Sequence, residues 1–384
     1  MNGKDIMFVI GTRPELIKVA PVIIMLKKKG YSNYCIVNTG QHRELLNKYW
    51  SVFGITPDYN LDVILPNQDL SSLTARAISQ INELLKELRQ LNSLPKIILA
   101  QGDTTTVMAA SLVAFYNTIP FVHLEAGLRS HDLYQPFPEE LNRRVASIVA
   151  ACHLAPTTLA GQNIEKENHD TSKVHIAGNT VIDALQFITE TKAFTDLQFA
   201  DDKVQQAYQS GKELVLITCH RRENQNENLM NLIAAIDQLG RENPASVFIW
   251  PLHANPNVKG KVLDSSLSTL KNVVLTEPMD YLELIKVLSK SKIVLTDSGG
   301  IQEEAPSFKV PVLVLRDKTE RPEAVMMGVS AIVGCNKELI IEQFYKFRPH
   351  FSDTFINPYG DGQAAERIVS VLIEMCMPKT GINN

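Results

Sequence analysis

The chain has 384 residues, 45% of them hydrophobic, more than one core usually holds, so two domains of ordinary size are expected. With 38 basic against 42 acidic residues and a formal net charge of −4, it lacks the basic field that nucleic-acid binding needs, and any anionic ligand must be met by local groups. Cys35, Cys152, Cys219, Cys335 and Cys376 are scattered without C-x-x-C spacing and read as reduced core thiols, and neither a secretion-signal pattern at 1–10 nor a membrane-length apolar run occurs, so a cytoplasmic protein with no membrane partner is expected.

Short β-branched runs at 6–10, 34–38, 97–100, 121–124, 153–155 and 174–177 are each followed by a helical pattern, which suits a buried parallel sheet. The series restarts at 214–218, 247–250, 273–276, 293–296 and 312–315, again separated by helix-length segments. The stretch 189–211 is more polar and shows no strand, which places the crossing between domains near 178–212. The expected division is 1–178 for the first doubly wound domain and 179–362 for the second. A terminal helix within 363–384, with Ile368, Val371, Leu372 and Met375 at helical spacing, is expected to return to the first.

In open α/β sheets ligands collect beyond the carboxyl ends of the strands, so the residues after each strand carry the functional reading. The first strand runs into Gly11-Thr12-Arg13-Pro14-Glu15 with Lys18 following, two cations beside a helix N-terminus and hence an anion site; the alternative is a solvated turn capped by Thr12. The run at 97–100 leads to Gln101-Gly102-Asp103-Thr104-Thr105-Thr106, where Asp103 is either a helix N-cap, the commoner use taken alone, or a carboxylate presented to the cleft. Glu125-Ala126-Gly127-Leu128-Arg129 and Pro138-Glu139-Glu140 then follow. Carboxyl groups confined together away from water have their pKa values pushed apart, which is what a site holding one acid and one base requires. Glu140 is assigned the plainer role of a first-turn residue paired with Arg143 and Arg144.

In the second half, Thr218-Cys219-His220-Arg221 follows a strand, and His220 with Arg221 could meet a phosphate or protonate a leaving oxygen. Asp297-Ser298-Gly299-Gly300 opens a helix suited to a diphosphate, with Glu304 one turn in to accept a ribose diol and Arg316 and Arg321 supplying positive charge. No G-x-G-x-x-G follows a strand, no Walker A occurs, and no H-E-x-x-H or comparable ligand spacing exists, so neither a nicotinamide, nor a metal, nor any other cofactor is expected.

Read together with Gln41-His42-Arg43-Glu44, Gly178-Asn179-Thr180, Thr319-Glu320-Arg321-Pro322-Glu323 and Asn357-Pro358-Tyr359-Gly360-Asp361-Gly362, these strings run in order over essentially the whole chain and resemble the non-hydrolysing bacterial UDP-N-acetylglucosamine 2-epimerases. The resemblance implies an α/β fold of two Rossmann-like doubly wound domains, glycosyltransferase-B-like, with the active site in the interdomain cleft. It implies a homodimer that takes a UDP-sugar and interconverts UDP-GlcNAc and UDP-ManNAc for surface polysaccharide synthesis. UDP is expelled as the C2 proton leaves, a 2-acetamidoglucal forms, and UDP re-adds with protonation from the opposite face. The resemblance makes Asp103, Glu125 and Glu139 the acid/base carboxylates and His220 the group controlling charge or protons at the diphosphate. Arg13, Lys18, Arg143, Arg221 and Arg321 become the substrate cations, with Ser298, Gly299 and Gly300 as the phosphate turn and Glu304 as the ribose anchor. Gln41, Glu44 and His253, with Arg221, match contacts of an allosteric second UDP-GlcNAc in many members, although Asn67 stands where an Arg often precedes Gln68. Three alternatives share this pattern: a hydrolysing epimerase releasing ManNAc and UDP, an epimerase of a modified UDP-sugar, and a non-catalytic nucleotide-sugar sensor. Retention of all four proton-handling positions speaks against the sensor.

Overall fold

A computed structural model of the chain describes residues 4–41, 43–65, 68–167, 170–221, 224–225, 227–252 and 255–377. It forms two compact units, one of residues 1–187 with 360–384 and one of residues 188–359. The first holds strands β1 (Ile6–Ile10), β2 (Tyr34–Asn38), β3 (Tyr59–Asn60), β4 (Ile97–Gln101), β5 (Phe121–Leu124), β6 (Ala150–Ala155) and β7 (Val174–Ile176). The second holds β8 (Glu213–Thr218), β9 (Ser246–Pro251), β10 (Val273–Thr276), β11 (Ser291–Thr296), β12 (Val312–Val314) and β13 (Ser330–Ile332).

Every strand pairing is parallel, and the orders are β3-β2-β1-β4-β5-β6-β7 and β10-β9-β8-β11-β12-β13. Each unit is therefore Rossmann-like, with chain direction around the sheet reversing beside its first strand, between β1 and β4 in one and between β8 and β11 in the other. Helices cover both faces, which is why β1 reads as an unbroken apolar run with no exposed residue. β3 and β13 are edge strands of two and three residues, too short to carry a readable pattern, and the sequence reading passed over both.

The helices follow ordinary local rules. In the helix Leu70–Gln90, the side chain of Asp69 accepts the N–H of Ser72 at 2.7 Å, and Leu73, Ala77, Ile81, Leu84, Leu85 and Leu88 form the buried stripe. Each leucine so covered contributes about 1.5–3 kcal/mol relative to exposure.

The units part within the helix Thr180–Glu190 rather than at the 178/179 boundary expected from sequence. The first turns of that helix belong with the first unit because Asp183 caps the terminal helix Ala364–Cys376, accepting the N–H of Ala364 at 3.3 Å and of Ala365 at 2.8 Å. Gln363, the residue at the cap position itself, supplies no such bond. On the terminal helix Ile368, Leu372 and Cys376 are buried, while Val371 and Met375 lie beside that stripe and are half-buried. In the second unit, the polar stretch before β8 is tied down by Lys286, whose ammonium donates to the carbonyls of Phe194, Thr195 and Leu197.

All five cysteines are buried and free. Among the described residues no helix is long and apolar enough to cross a membrane, and no cluster of three or more His, Cys, Asp or Glu side chains is arranged to hold a metal ion.

Candidate active site

In the first unit the polar residues after β1, β4 and β5 converge at the point where strand order reverses. Gly11 sits so tightly between two threonines that an added Cβ would stand 2.3 Å from Thr106 Oγ1 and 2.5 Å from Thr39 Oγ1. Thr12 occupies the cap position of the helix Arg13–Lys28, and Glu15 folds back to accept the N–H of Gly11 at 2.5 Å and of Thr12 at 3.0 Å. The same carboxylate accepts the hydroxyl of Thr104 from the turn after β4. Burial pushes the Glu15 carboxyl up to about 7, against the lowering effect of those three donors. The guanidinium of Arg13 lies 5.9 Å from the ring centre of Tyr49.

The cap of the helix Thr105–Tyr116 is Thr104, whose hydroxyl accepts the N–H of Val107 at 3.4 Å. Asp103 is thus not the cap, the use that its position alone favours. Gly102, at φ +84°, turns the chain so that Asp103 sits one residue outside the helix, where its Oδ2 accepts Nε and Nη2 of Arg143 at 3.0 and 2.7 Å. Arg143 also donates to Glu140 at 3.0 Å, and Glu140, fully buried, accepts from Arg144 and from the N–H of Ser130. Arg143 is therefore engaged by two carboxylates.

Glu125 leaves β5 in the left-handed region, at φ +65°, and is 9% exposed. One carboxylate oxygen pairs with the ammonium of Lys18 and the other accepts the side-chain amide of Gln101. Glu139 opens the helix Glu139–Val149 half-buried, with its Oε2 shut off from solvent. Behind them His123 is wholly buried with Nε2 2.8 Å from the carbonyl of Gly102, and burial depresses its pKa to about 4. A carbonyl can only accept, so that nitrogen carries the proton and the neutral ring steadies the turn leading to Asp103. Arg129, the basic residue of the same motif, is buried in a two-bond ion pair with Glu167 and is structural.

The second unit repeats the arrangement with other chemistry. His220 and Arg221 follow β8, and Asp297 follows the neighbouring β11. Asp297, with no exposed surface, accepts the N–H groups of His220 and Arg221 and the amide of Asn224, and its second oxygen lies 2.9 Å from Nδ1 of His220. Ser298 is the cap of the helix Gly299–Glu304. An added Cβ on Gly299 would stand 2.5 Å from Cζ of Arg321, so the guanidinium lies directly against the glycine turn.

Arg321 is held there by Glu303 at 2.6 Å and Glu320 at 3.5 Å, while Arg316 pairs with Glu320 at 2.7 Å and Arg221 approaches it at 4.0 Å. Burial alone would raise the Glu320 carboxyl, yet Arg321, Arg316 and Arg221 outweigh it and hold it at about 2. Glu304, 4% exposed, accepts the hydroxyl of Tyr281 at 2.8 Å.

Residues 25–373 match the family model described as UDP-N-acetylglucosamine 2-epimerase. The chain belongs to the UDP-N-acetylglucosamine 2-epimerase family. It is 44% identical to the UDP-N-acetylglucosamine 2-epimerase of Neisseria meningitidis serogroup A over 96% of this chain and 99% of that one. A second relative of the same name, from Campylobacter jejuni, is 39% identical over 97% of this chain and 98% of its own length. The crystal structure of the Neisseria meningitidis enzyme bound to UDP-GlcNAc aligns with TM-score 0.85 and 42% identity, covering 96% of this chain and all of that one. Likeness at that level carries the glycosyltransferase-B-like fold class that the epimerase motifs imply.

Against that family background, the structure gathers Asp103, Glu125, Lys18 and Arg143 in the first unit, and His220, Arg221, Ser298, Gly299, Gly300, Glu304 and Arg321 in the second. Gln41 accepts the hydroxyl of Thr106 at 2.8 Å and is tied to the first turn of the helix after β4. The side chain of Glu44, together with Asn67 and His253, lies outside the described residues. Sequence reasoning missed Glu15, Gln101, Tyr281, Asp297, Glu303 and Glu320 as parts of the site. Asp297 had a visible cue, a carboxylate directly after a strand at the reversal of strand order, but its partner is 77 residues away.

Proposed function

We propose that this chain catalyses the reversible epimerisation at C2 of UDP-N-acetylglucosamine to UDP-N-acetylmannosamine. The observation that carries this reading is the pair Asp103 and Glu125 at the ends of adjacent strands β4 and β5, each with its own cation, Arg143 and Lys18. A sugar C2–H has no neighbouring carbonyl to acidify it, so its removal must be coupled to loss of a good leaving group. One carboxylate among Asp103, Glu125 and Glu139 takes the C2 proton while the C1–O bond breaks and its electrons leave with UDP, giving a 2-acetamidoglucal. Return of UDP to C1 with a proton delivered to the opposite face of C2 gives the epimer, and no electron is lost or gained.

The second unit supports the reading through its own chemistry. Arg321 against the Gly299 turn, with Arg221 and His220 nearby, supplies fixed donors where charge develops on the departing diphosphate. Glu304, whose Oε1 lies beside that turn, is read as the acceptor of a ribose diol. Arg13 and Lys18 are read as further nucleotide contacts, and Gln41, Glu44 and His253 as contacts of a second, activating UDP-GlcNAc.

The product feeds surface polysaccharide synthesis in the cytoplasm, a location that the five reduced thiols favour. The enzyme acts as a homodimer. Exposed Leu141 and Ile148, one heptad apart on a single helix, support such a contact, and sedimentation velocity tests it.

Incubation with UDP-GlcNAc in deuterium oxide, without added metal or nicotinamide, tests the activity by NMR. Deuterium at C2 with UDP-ManNAc appearing is expected. Free ManNAc with UDP would move the chain to the hydrolysing class, and unchanged substrate would leave a modified sugar or a sensor.

A further inference from the structure

Tyr281 begins the helix Tyr281–Lys290 in the segment that leaves β10, and its position is set by a reciprocal cap. Asp280 accepts the N–H of Leu282 at 3.1 Å while Glu283 accepts the N–H of Asp280 at 3.1 Å. The ring is 7% exposed, and its hydroxyl donates to Oε1 of Glu304 at 2.8 Å. Glu304 ends the helix Gly299–Glu304, and its Oε1 lies 4.0 Å from where a Cβ on Gly300 would stand. One buried hydroxyl therefore fixes the orientation of a carboxylate that sits against the glycine turn.

An ionised carboxylate offers about four acceptor positions, of which Tyr281 uses one. Recognition of a hydroxyl pair depends on where the remaining positions point, because a buried acceptor discriminates only when its geometry is held. A carboxylate with free rotation about its last torsion would instead bind a ribose and a deoxyribose with little difference.

We infer that Tyr281 is a positioning residue that makes the site selective for a ribonucleoside diphosphate over its 2′-deoxy counterpart, acting through Glu304. This rests on the reading of Glu304 as the ribose anchor.

The test is calorimetric binding of UDP and of 2′-deoxy-UDP to the full-length protein and to its Tyr281→Phe and Glu304→Gln variants. The wild type is expected to favour UDP by about tenfold or more, the range for a hydrogen bond to a charged group. Tyr281→Phe keeps the ring and its packing, so 2′-deoxy-UDP should bind within about twofold of wild type while UDP weakens by roughly three- to tenfold. Equal weakening of both ligands would mean that the tyrosine only packs, and would overturn the inference. Unchanged selectivity in Tyr281→Phe with reduced selectivity in Glu304→Gln would overturn it too, leaving the ribose anchor intact. Unchanged selectivity in Glu304→Gln would remove the anchor reading itself.

Discussion

Oδ1 of Asp297 lies 2.9 Å from Nδ1 of His220, while Oδ2 of the same carboxylate takes two backbone N–H groups and the Asn224 amide at 2.9 to 3.0 Å. Burial alone would raise the Asp297 carboxyl, but His220 and these donors outweigh it and hold it at about 2. The imidazole is thereby anchored through Nδ1. Asp297→Asn should lower kcat by about 10- to 100-fold, at or below the lower end of what a positioned general acid or base itself contributes, since only the orientation of His220 is disturbed. Asp297→Ala leaves buried N–H groups without an acceptor and should cost about 3 kcal/mol of stability, read as the urea midpoint. A normal kcat in Asp297→Asn would refute the orienting role.

Asp103→Asn, Glu125→Gln and Glu139→Gln should each reduce turnover by roughly a hundredfold to ten-thousandfold while leaving UDP affinity within a few-fold of wild type. Steady-state rates paired with UDP calorimetry separate the two effects. Near-normal turnover in any one variant removes that residue from proton transfer.

Arg143 faces both Asp103 and the fully buried Glu140. Arg143→Ala strips Glu140 of a buried partner and should cost about 3–5 kcal/mol of stability. Arg143→Lys keeps the charge but loses the planar fork, so it should fold and show reduced kcat with little change in KM. If instead KM rises while kcat holds, Arg143 is a direct substrate cation after all.

Glu15 carries the pH dependence. Its folded pKa of about 7 stands above the ordinary carboxyl value of 4.5, so the protonated form is the one the fold favours. The associated stability is fully present below about 4.5 and is lost as pH rises through about 7. A glutamine in its place can still accept from Gly11 and Thr12 with its oxygen and donate to Thr104 with its nitrogen. Glu15→Gln should therefore gain stability relative to wild type as pH climbs from 5 to 8, measured as the difference in urea midpoints. A difference that stays constant across that range would contradict the assignment.

Gly299→Ala introduces a methyl group 2.5 Å from the Arg321 guanidinium, the far end of a flexible side chain that can swing away. Stability should change by less than about 1 kcal/mol, within the usual range for a relieved contact. UDP should bind roughly tenfold more weakly, as for a lost charge-assisted bond. Gly127→Ala is the contrasting control, since its Cβ would meet the backbone carbonyl of Ala160 at 2.0 Å with φ at +92°, and destabilisation is expected instead.

Much of the fold was legible because period and burial are local properties. The eleven runs read as strands all lie in strands or run one residue past them, and the small-residue turn at Ser298 and the helix opening at Glu139 stand where the pattern placed them. Local reading failed where two adjacent residues competed for one role. Asp103 and Thr104 are both good caps, and the choice of Thr104 follows from the left-handed turn at Gly102 and from Arg143 taking the aspartate. It was also silent on what holds Arg316 and Arg321, read as supplying positive charge and paired in the structure with the buried acids Glu303 and Glu320.

The sequence by itself determined two doubly wound units, the strand ends at which chemistry sits, and the residue types gathered there. Only the tertiary structure decided which side chain meets which: Lys18 with Glu125 across 107 residues, Thr104 with Glu15 across 89, His220 with Asp297 across 77. The reason is the strand order. Hydrophobic period and turn chemistry act over a few residues and specify each strand and helix in place. The partner of a strand-end residue is instead set by which strands become neighbours where the order reverses, a property of the whole sheet that no short stretch encodes.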